Sequence, residues 1–127
     1  NQMSKFYLID NDITYLASLQ SQLRAMNHHV CANHGDVGLS HTFRDVLREQ
    51  PNVIVMDLIH PSFEGLELLH KLEEDHYTND IPVFVYTKEE NRDMHADSES
   101  KGCEQFFIKE RLSPERLIKR LVKVYLK

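Results

Sequence analysis

The sequence predicts an α/β fold, an open parallel sheet of five strands covered by helices on both faces. Two observations carry that expectation. Short apolar runs with strand character alternate with helical patterns five times along the chain, which is how a parallel sheet with crossover helices is written. No repeat, low-complexity tract or linker divides the 127 residues, a length that suits one domain and one core.

The elements follow in order. Lys5–Ile9 (KFYLI) is the first strand. Asp12 is placed to cap a helix whose Leu16, Leu19, Leu23 and Met26 form one apolar stripe, with Asn27 as its stop. His29–Ala32 is a second, weaker strand. Leu39, Phe43, Val46 and Leu47 mark a second helix, ended by Pro51. Val53–Met56 is the third strand, and Leu66, Leu69 and Leu72 mark the helix after it. Pro82–Tyr86 (PVFVY) is the fourth strand, with Pro82 at its first position.

Glu89–Lys101 is mostly polar and reads as a weakly anchored helix with Met94 and Ala96 as its apolar residues. Gln105–Ile108 (QFFI) is the fifth strand; one of Phe106 and Phe107 must face the core. Ser113-Pro114-Glu115 opens the last helix, with Ser as cap, Pro at the first position and an acid in the first turn.

Composition narrows the function. A formal net charge of -5, from 15 basic and 20 acidic residues, gives no reason to expect nucleic-acid binding. No apolar run approaches the roughly 20 residues of a membrane span, and no apolar leader precedes the first strand, so the expected compartment is the cytoplasm. Cys31 and Cys103 form no CxxC and are expected to be reduced and buried. The eight His are scattered; His28, His29 and His34 lack a tight ligand spacing. The chain begins at Asn1, and a longer protein with a further C-terminal domain is compatible with it.

The chemistry gathers behind the strands. Right-handed crossovers place every strand's C-terminal end on one edge. Asp10, Asn11 and Asp12 follow the first strand, Asp57 the third, Thr87 the fourth and Lys109 the fifth. Ligands of open α/β sheets bind outside these ends, where the strand order switches. An acid that closes the apolar run Val53–Met56 would then lie at the lip of a shared crevice.

From about Lys5 to Tyr125 the chain resembles a response-regulator receiver domain, the CheY-like fold. The acidic cluster after strand one, P-N-V-I-V-M-D with Pro61 and Gly65 downstream, I-P-V-F-V-Y-T, and K-G-C-E-Q-F-F-I-K carry the resemblance in order. It implies a flavodoxin-like sheet in the order 2-1-3-4-5 and one receiver domain over residues 1–127. Asp57 would be the phosphoacceptor, with Thr87 and Lys109 binding phosphoryl oxygens. Mg²⁺ would be held by Asp10, Asn11, Asp57 and the carbonyl of Ile59. Phe106 falls at the family's aromatic switch position. Implied partners are a histidine kinase or histidine phosphotransfer protein, and a homodimer through the Glu89–Lys101 helix, strand five and the last helix.

The chain departs from the family pattern at several positions. Asn11 stands where a second acid is usual, Lys88 where a small residue is usual, and His60 replaces Met before Pro61. Glu110 replaces the Pro that follows the Lys. A cis bond before Pro costs about 0.5–1 kcal/mol, against roughly 2.5–4 kcal/mol before another residue. A trans Lys109–Glu110 bond is therefore expected, with an altered path over 108–113 and a looser link to the last helix. These departures keep a second reading open: a degenerate receiver that acts as an interaction module with little phosphate control. An aspartyl phosphatase would need D-x-D, and Ile59 stands two after Asp57. A flavin carrier would need a hydroxyl- and Gly-rich loop where this chain is acidic.

Overall fold

The computed structural model describes residues 3–33 and 37–126. Five parallel strands form one sheet in the order β2-β1-β3-β4-β5. They are β1 (Lys5–Ile9), β2 (His29–Asn33), β3 (Val53–Met56), β4 (Val83–Thr87) and β5 (Gln105–Ile108). The helices are α1 (Ile13–Ala25), α2 (Leu39–Glu49), α3 (Gly65–Glu74), α4 (His95–Ser100) and α5 (Pro114–Tyr125).

The two-residue period of the strands divides the core. Phe6, Leu8, Val53, Val55, Phe84 and Tyr86 point to one face and pack with Leu16, Leu19 and Leu23 of α1 and Leu117, Ile118 and Leu121 of α5. Tyr7, Ile9, Ile54, Met56, Val83 and Val85 point to the other face, toward α2 and α3. Both faces are covered, so β1, β3 and β4 read as continuous apolar runs.

The caps follow the sequence. Asp12 accepts from the amides of Thr14 and Tyr15, and Ser113 caps α5 with Pro114 at its first position. Asn27, just past α1, takes φ 64°, a left-handed geometry that Asn tolerates.

Four expectations need correcting. β4 starts at Val83; the Pro82 carbonyl still accepts from Ile54 N of β3, but Pro82 has no N–H to donate to the ladder. Cys31 is only half-buried, since β2 is an edge strand; Cys103 is buried, and both are free. Leu68 joins Leu69 and Leu72 in the core of α3, while Leu66 is half-buried. Glu89–Lys101 is not one helix. A 3₁₀ segment, Glu89–Met94, runs into the short α4, and of these residues only Ser98 is fully buried. His34 lies outside the described residues.

Gly65 fixes the β3–α3 connection against β3. Its amide donates to the Leu58 carbonyl at 3.1 Å. A Cβ there would meet Leu58 O at 2.4 Å and Leu58 Cα at 2.5 Å, both backbone atoms that cannot swing aside. Gly65→Ala should cost about 1–3 kcal/mol, the scale of overpacking a rigid site. Urea denaturation checks this; an unchanged midpoint would contradict the close approach.

Candidate functional site

β1, β3, β4 and β5 each deliver a polar residue to the same edge. Asp57 follows β3 directly, and its amide donates to Ile9 O of β1 at 2.8 Å. Its carboxylate is nearly covered, and both oxygens are engaged. Oδ1 accepts from the Thr87 hydroxyl at 2.7 Å and from Ile59 N at 3.2 Å. Oδ2 accepts from Lys109 Nζ at 2.9 Å.

Lys109 is 3% exposed and stands between two acids, with Asp10 Oδ2 also 2.9 Å from its amine. The ammonium lies 4.4 Å from the Tyr15 ring centroid and 5.9 Å from that of Tyr86, so aromatic faces cover the sides the carboxylates leave open. Burial works against the charge on Lys109, but Asp57 and Asp10 outweigh it and the amine pKa is raised. The Asp10 carboxyl is also raised: burial pushes it up more than Lys109 pulls it down. The two directions agree physically, because one ammonium answers two carboxylates and each acid receives only a share.

Asn11 borders the same crevice with Asp12, Asp57, Ile59 and Lys88, around a cavity of about 310 Å³. Asn11 Oδ1 is buried and has no hydrogen-bond partner among the described residues. An orphaned oxygen beside carboxylates is what an oxygen-seeking cation would satisfy. No group of three or more His, Cys, Asp and Glu side chains among the described residues stands in a geometry that could hold a metal ion by itself. Two acids and an amide oxygen are what the site would offer a cation, donors that suit Mg²⁺ with retained waters.

Phe106 is not part of this crevice. It is half-buried on the α4 side, with His95 stacked on it at 4.6 Å between ring centroids, while Phe107 packs into the α1–α5 core. Sequence reasoning missed three supports. Asn91 Nδ2 donates to Thr87 Oγ1 at 3.0 Å, and Tyr15 and Tyr86 flank Lys109. It also missed what holds the β5–α5 loop. No cis peptide occurs among the described residues, so Lys109–Glu110 is trans, and Lys109–Arg111 forms a 3₁₀ turn. Glu110 Oε1 accepts from Glu89 N at 2.8 Å, Arg111 pairs with Glu89 at 2.7 Å, and the Tyr86 hydroxyl donates to Leu112 O. The expected loosening is thus opposed by side-chain ties.

A response regulator receiver domain model matches residues 6–122. The chain belongs to the response regulator receiver domain family. It is 25% identical over 122 residues to the protein PilH of Pseudomonas aeruginosa, covering 94% of this chain and 95% of that one. Its fold is similar to that of the chemotaxis response regulator CheY4 of Vibrio cholerae, with TM-score 0.82, 19% identity and coverage of 97% and 99% of the two chains. It is also similar to the Mn²⁺-bound form of response regulator Rcp1, with TM-score 0.77, 19% identity and coverage of 98% and 95%. Receiver domains are signalling modules of two-component systems, generally bind a divalent metal, and generally work with histidine kinases or phosphotransfer proteins. No helix among the described residues is long and apolar enough to cross a membrane.

The shared ammonium makes a prediction for this receiver domain. Asp10→Asn removes the carboxylate whose ionisation burial opposes, and leaves Lys109 paired with Asp57. The domain without metal should gain on the order of 1 kcal/mol at neutral pH, the low end for relieving buried charge. A raised carboxyl pKa means that the ionised acid destabilises the fold. The gain is therefore full well above the raised pKa and disappears below the ordinary value of 3.8. Thermal melts across pH check this; a loss of stability at neutral pH would contradict it.

Proposed function

We propose that this chain is one receiver domain over residues 1–127, and that Asp57 accepts a phosphoryl group from a phosphohistidine of a histidine kinase or phosphotransfer protein. The observation that carries this reading is a single acid, at the end of a central strand, met by donors from three segments. An Asp57 oxygen forms a bond to phosphorus as the phosphorus–nitrogen bond breaks. The electron pair leaves with the imidazole, and an acyl phosphate results.

The residues around Asp57 supply position and charge rather than further covalent steps. The amine of Lys109 and the hydroxyl of Thr87, now on the carboxylate oxygens, are within reach of phosphoryl oxygens once these arrive. Asp10, Asn11 Oδ1, Asp57 and the Ile59 carbonyl would hold Mg²⁺, which when bound supplies positive charge beside the transferring group. Phe106, at the edge of the α4–β5 face, is the proposed reporter of the change. Self-association is assigned to α4, β5 and α5, where β5 ends the sheet and offers an unpaired strand edge.

A second reading, an interaction module with little phosphate control, is favoured by one observation. Thr87 is fully buried and already bonded to Asp57 without phosphate. A hydroxyl already turned onto Asp57 has little further to move when a phosphoryl group arrives.

Intact mass after incubation with acetyl phosphate and Mg²⁺ tests the acceptor. One adduct of about 80 Da, a single phosphoryl group, is expected on the wild type and none on Asp57→Asn. A full adduct on the variant would remove Asp57 from the role. Mg²⁺ titration separates the two readings. Asn11→Asp adds one charge next to the ion, worth about 1–2 kcal/mol at high effective dielectric, so affinity should rise roughly tenfold or more. No gain would favour the interaction module.

A further inference from the structure

The phosphoacceptor reading leaves the crevice short of positive charge, and one side chain on its rim is placed to supply it. Asp57, Asp12 and Glu90 line the crevice, and Asp10 pairs with the Lys109 that also lines it. Phosphorylation replaces the single charge of Asp57 with about -1.5 to -2. Lys109 is already divided between two carboxylates. Asn11 is neutral, so a metal would be held there with less charge than two acids would give.

Lys88 follows β4 directly and lines the same cavity as Asp57 and Asn11. Its backbone is fixed from both sides. Thr87 before it is buried and bonded to Asp57, and the Glu89 amide after it is held by Glu110. The Lys88 carbonyl itself accepts from Asn91 N at 2.9 Å. Its amine, by contrast, has no hydrogen bond or ion pair among the described residues, although Glu90 lines the same rim. Most exposed lysines are only solvated; this one combines a pinned backbone, an uncommitted amine and an acceptor carboxylate across a small cavity.

We propose that Lys88 is a second phosphoryl-binding cation, whose ammonium contacts a phosphoryl oxygen during transfer and in the aspartyl phosphate, and so replaces part of the metal's charge. The proposal rests on the phosphoacceptor reading. It makes phosphorylation of this domain less dependent on Mg²⁺, with the neutral Asn11 and the cationic Lys88 as two parts of one charge arrangement.

The test is the rate of Asp57 phosphorylation by acetyl phosphate, in EDTA and in saturating Mg²⁺, for wild type, Lys88→Ala and Lys88→Arg. Here an Asp57 oxygen bonds to phosphorus while the bond to the acetyl oxygen breaks, and acetate leaves with the electron pair. In EDTA, Lys88→Ala should lower the saturated rate about tenfold, the scale of one ammonium contact in a partly solvated site. Lys88→Arg should retain most of the rate, and Mg²⁺ should shrink the difference. In the unphosphorylated protein, Lys88→Ala should bind Mg²⁺ at least as tightly as wild type, because a cation has been removed from the rim. A wild-type or faster rate for Lys88→Ala in both conditions would overturn the proposal and make Lys88 an obstruction or a solvated residue. So would a loss confined to half-saturation by acetyl phosphate, which long-range attraction alone would give. Absence of label on the wild type would overturn the phosphoacceptor reading, and this proposal with it.

Discussion

The ammonium of Lys109 is buried where it must answer two carboxylates at once. Take it away and Asp10 and Asp57 would face each other across an uncompensated, poorly solvated gap, an arrangement that costs several kcal/mol when a buried charge loses its partner (about 3–5). With it in place the site still carries an excess of one negative charge, one ammonium against two carboxylates, while burial raises the Asp10 carboxyl. That residual charge is what gives a divalent cation a reason to bind, and Asn11 Oδ1 is the buried oxygen left without a partner beside it. Stability without metal and affinity for metal are therefore opposed in the same few atoms.

The sheet makes this arrangement reachable. Alternation along β1, β3 and β4 buries apolar side chains on both faces, so the strands are held in register to their ends; Asp10 and Asp57 emerge side by side, and Thr87 lies one residue further along β4. The β5 side is completed differently. Lys109 leaves β5 before the Glu110 bond, so its amine reaches the floor whatever path the loop takes afterwards. Glu110, Arg111 and the Tyr86 hydroxyl then tie that loop to the β4 side. The same ties reach Glu89, next to Thr87 and Lys88. Altered residues in the β5–α5 loop are thus mechanically connected to the Thr87 hydroxyl on Asp57.

Much of this was legible in the sequence, for physical reasons. Strand alternation, the Asp12 and Ser113 caps and the polar residues behind each strand are local signals, and the parallel topology converts them into one crevice. The convergence of Asp10, Asp57, Thr87 and Lys109 followed from that topology. What stayed hidden depends on side-chain reach. Asn91 is one of many polar residues in a weakly patterned stretch, and nothing in its spacing shows that it donates to Thr87. Tyr15 reads as part of an amphipathic helix, yet its ring covers Lys109. Glu89–Lys101 read as one helix because its polarity gives no period to place a break. The structure divides it at Met94, where too little apolar surface is buried to hold a longer helix.

A phosphoacceptor at Asp57 is the claim on which the rest converges, and its chemistry leaves a specific trace. An acyl phosphate is reduced by borohydride to an alcohol, which turns an aspartyl phosphate into homoserine. Borohydride treatment of the phosphorylated protein, followed by peptide sequencing, should place homoserine at position 57 and leave Asp10 and Asp12 intact. Homoserine at another aspartate, or a phosphorylated protein that yields none, would contradict the account.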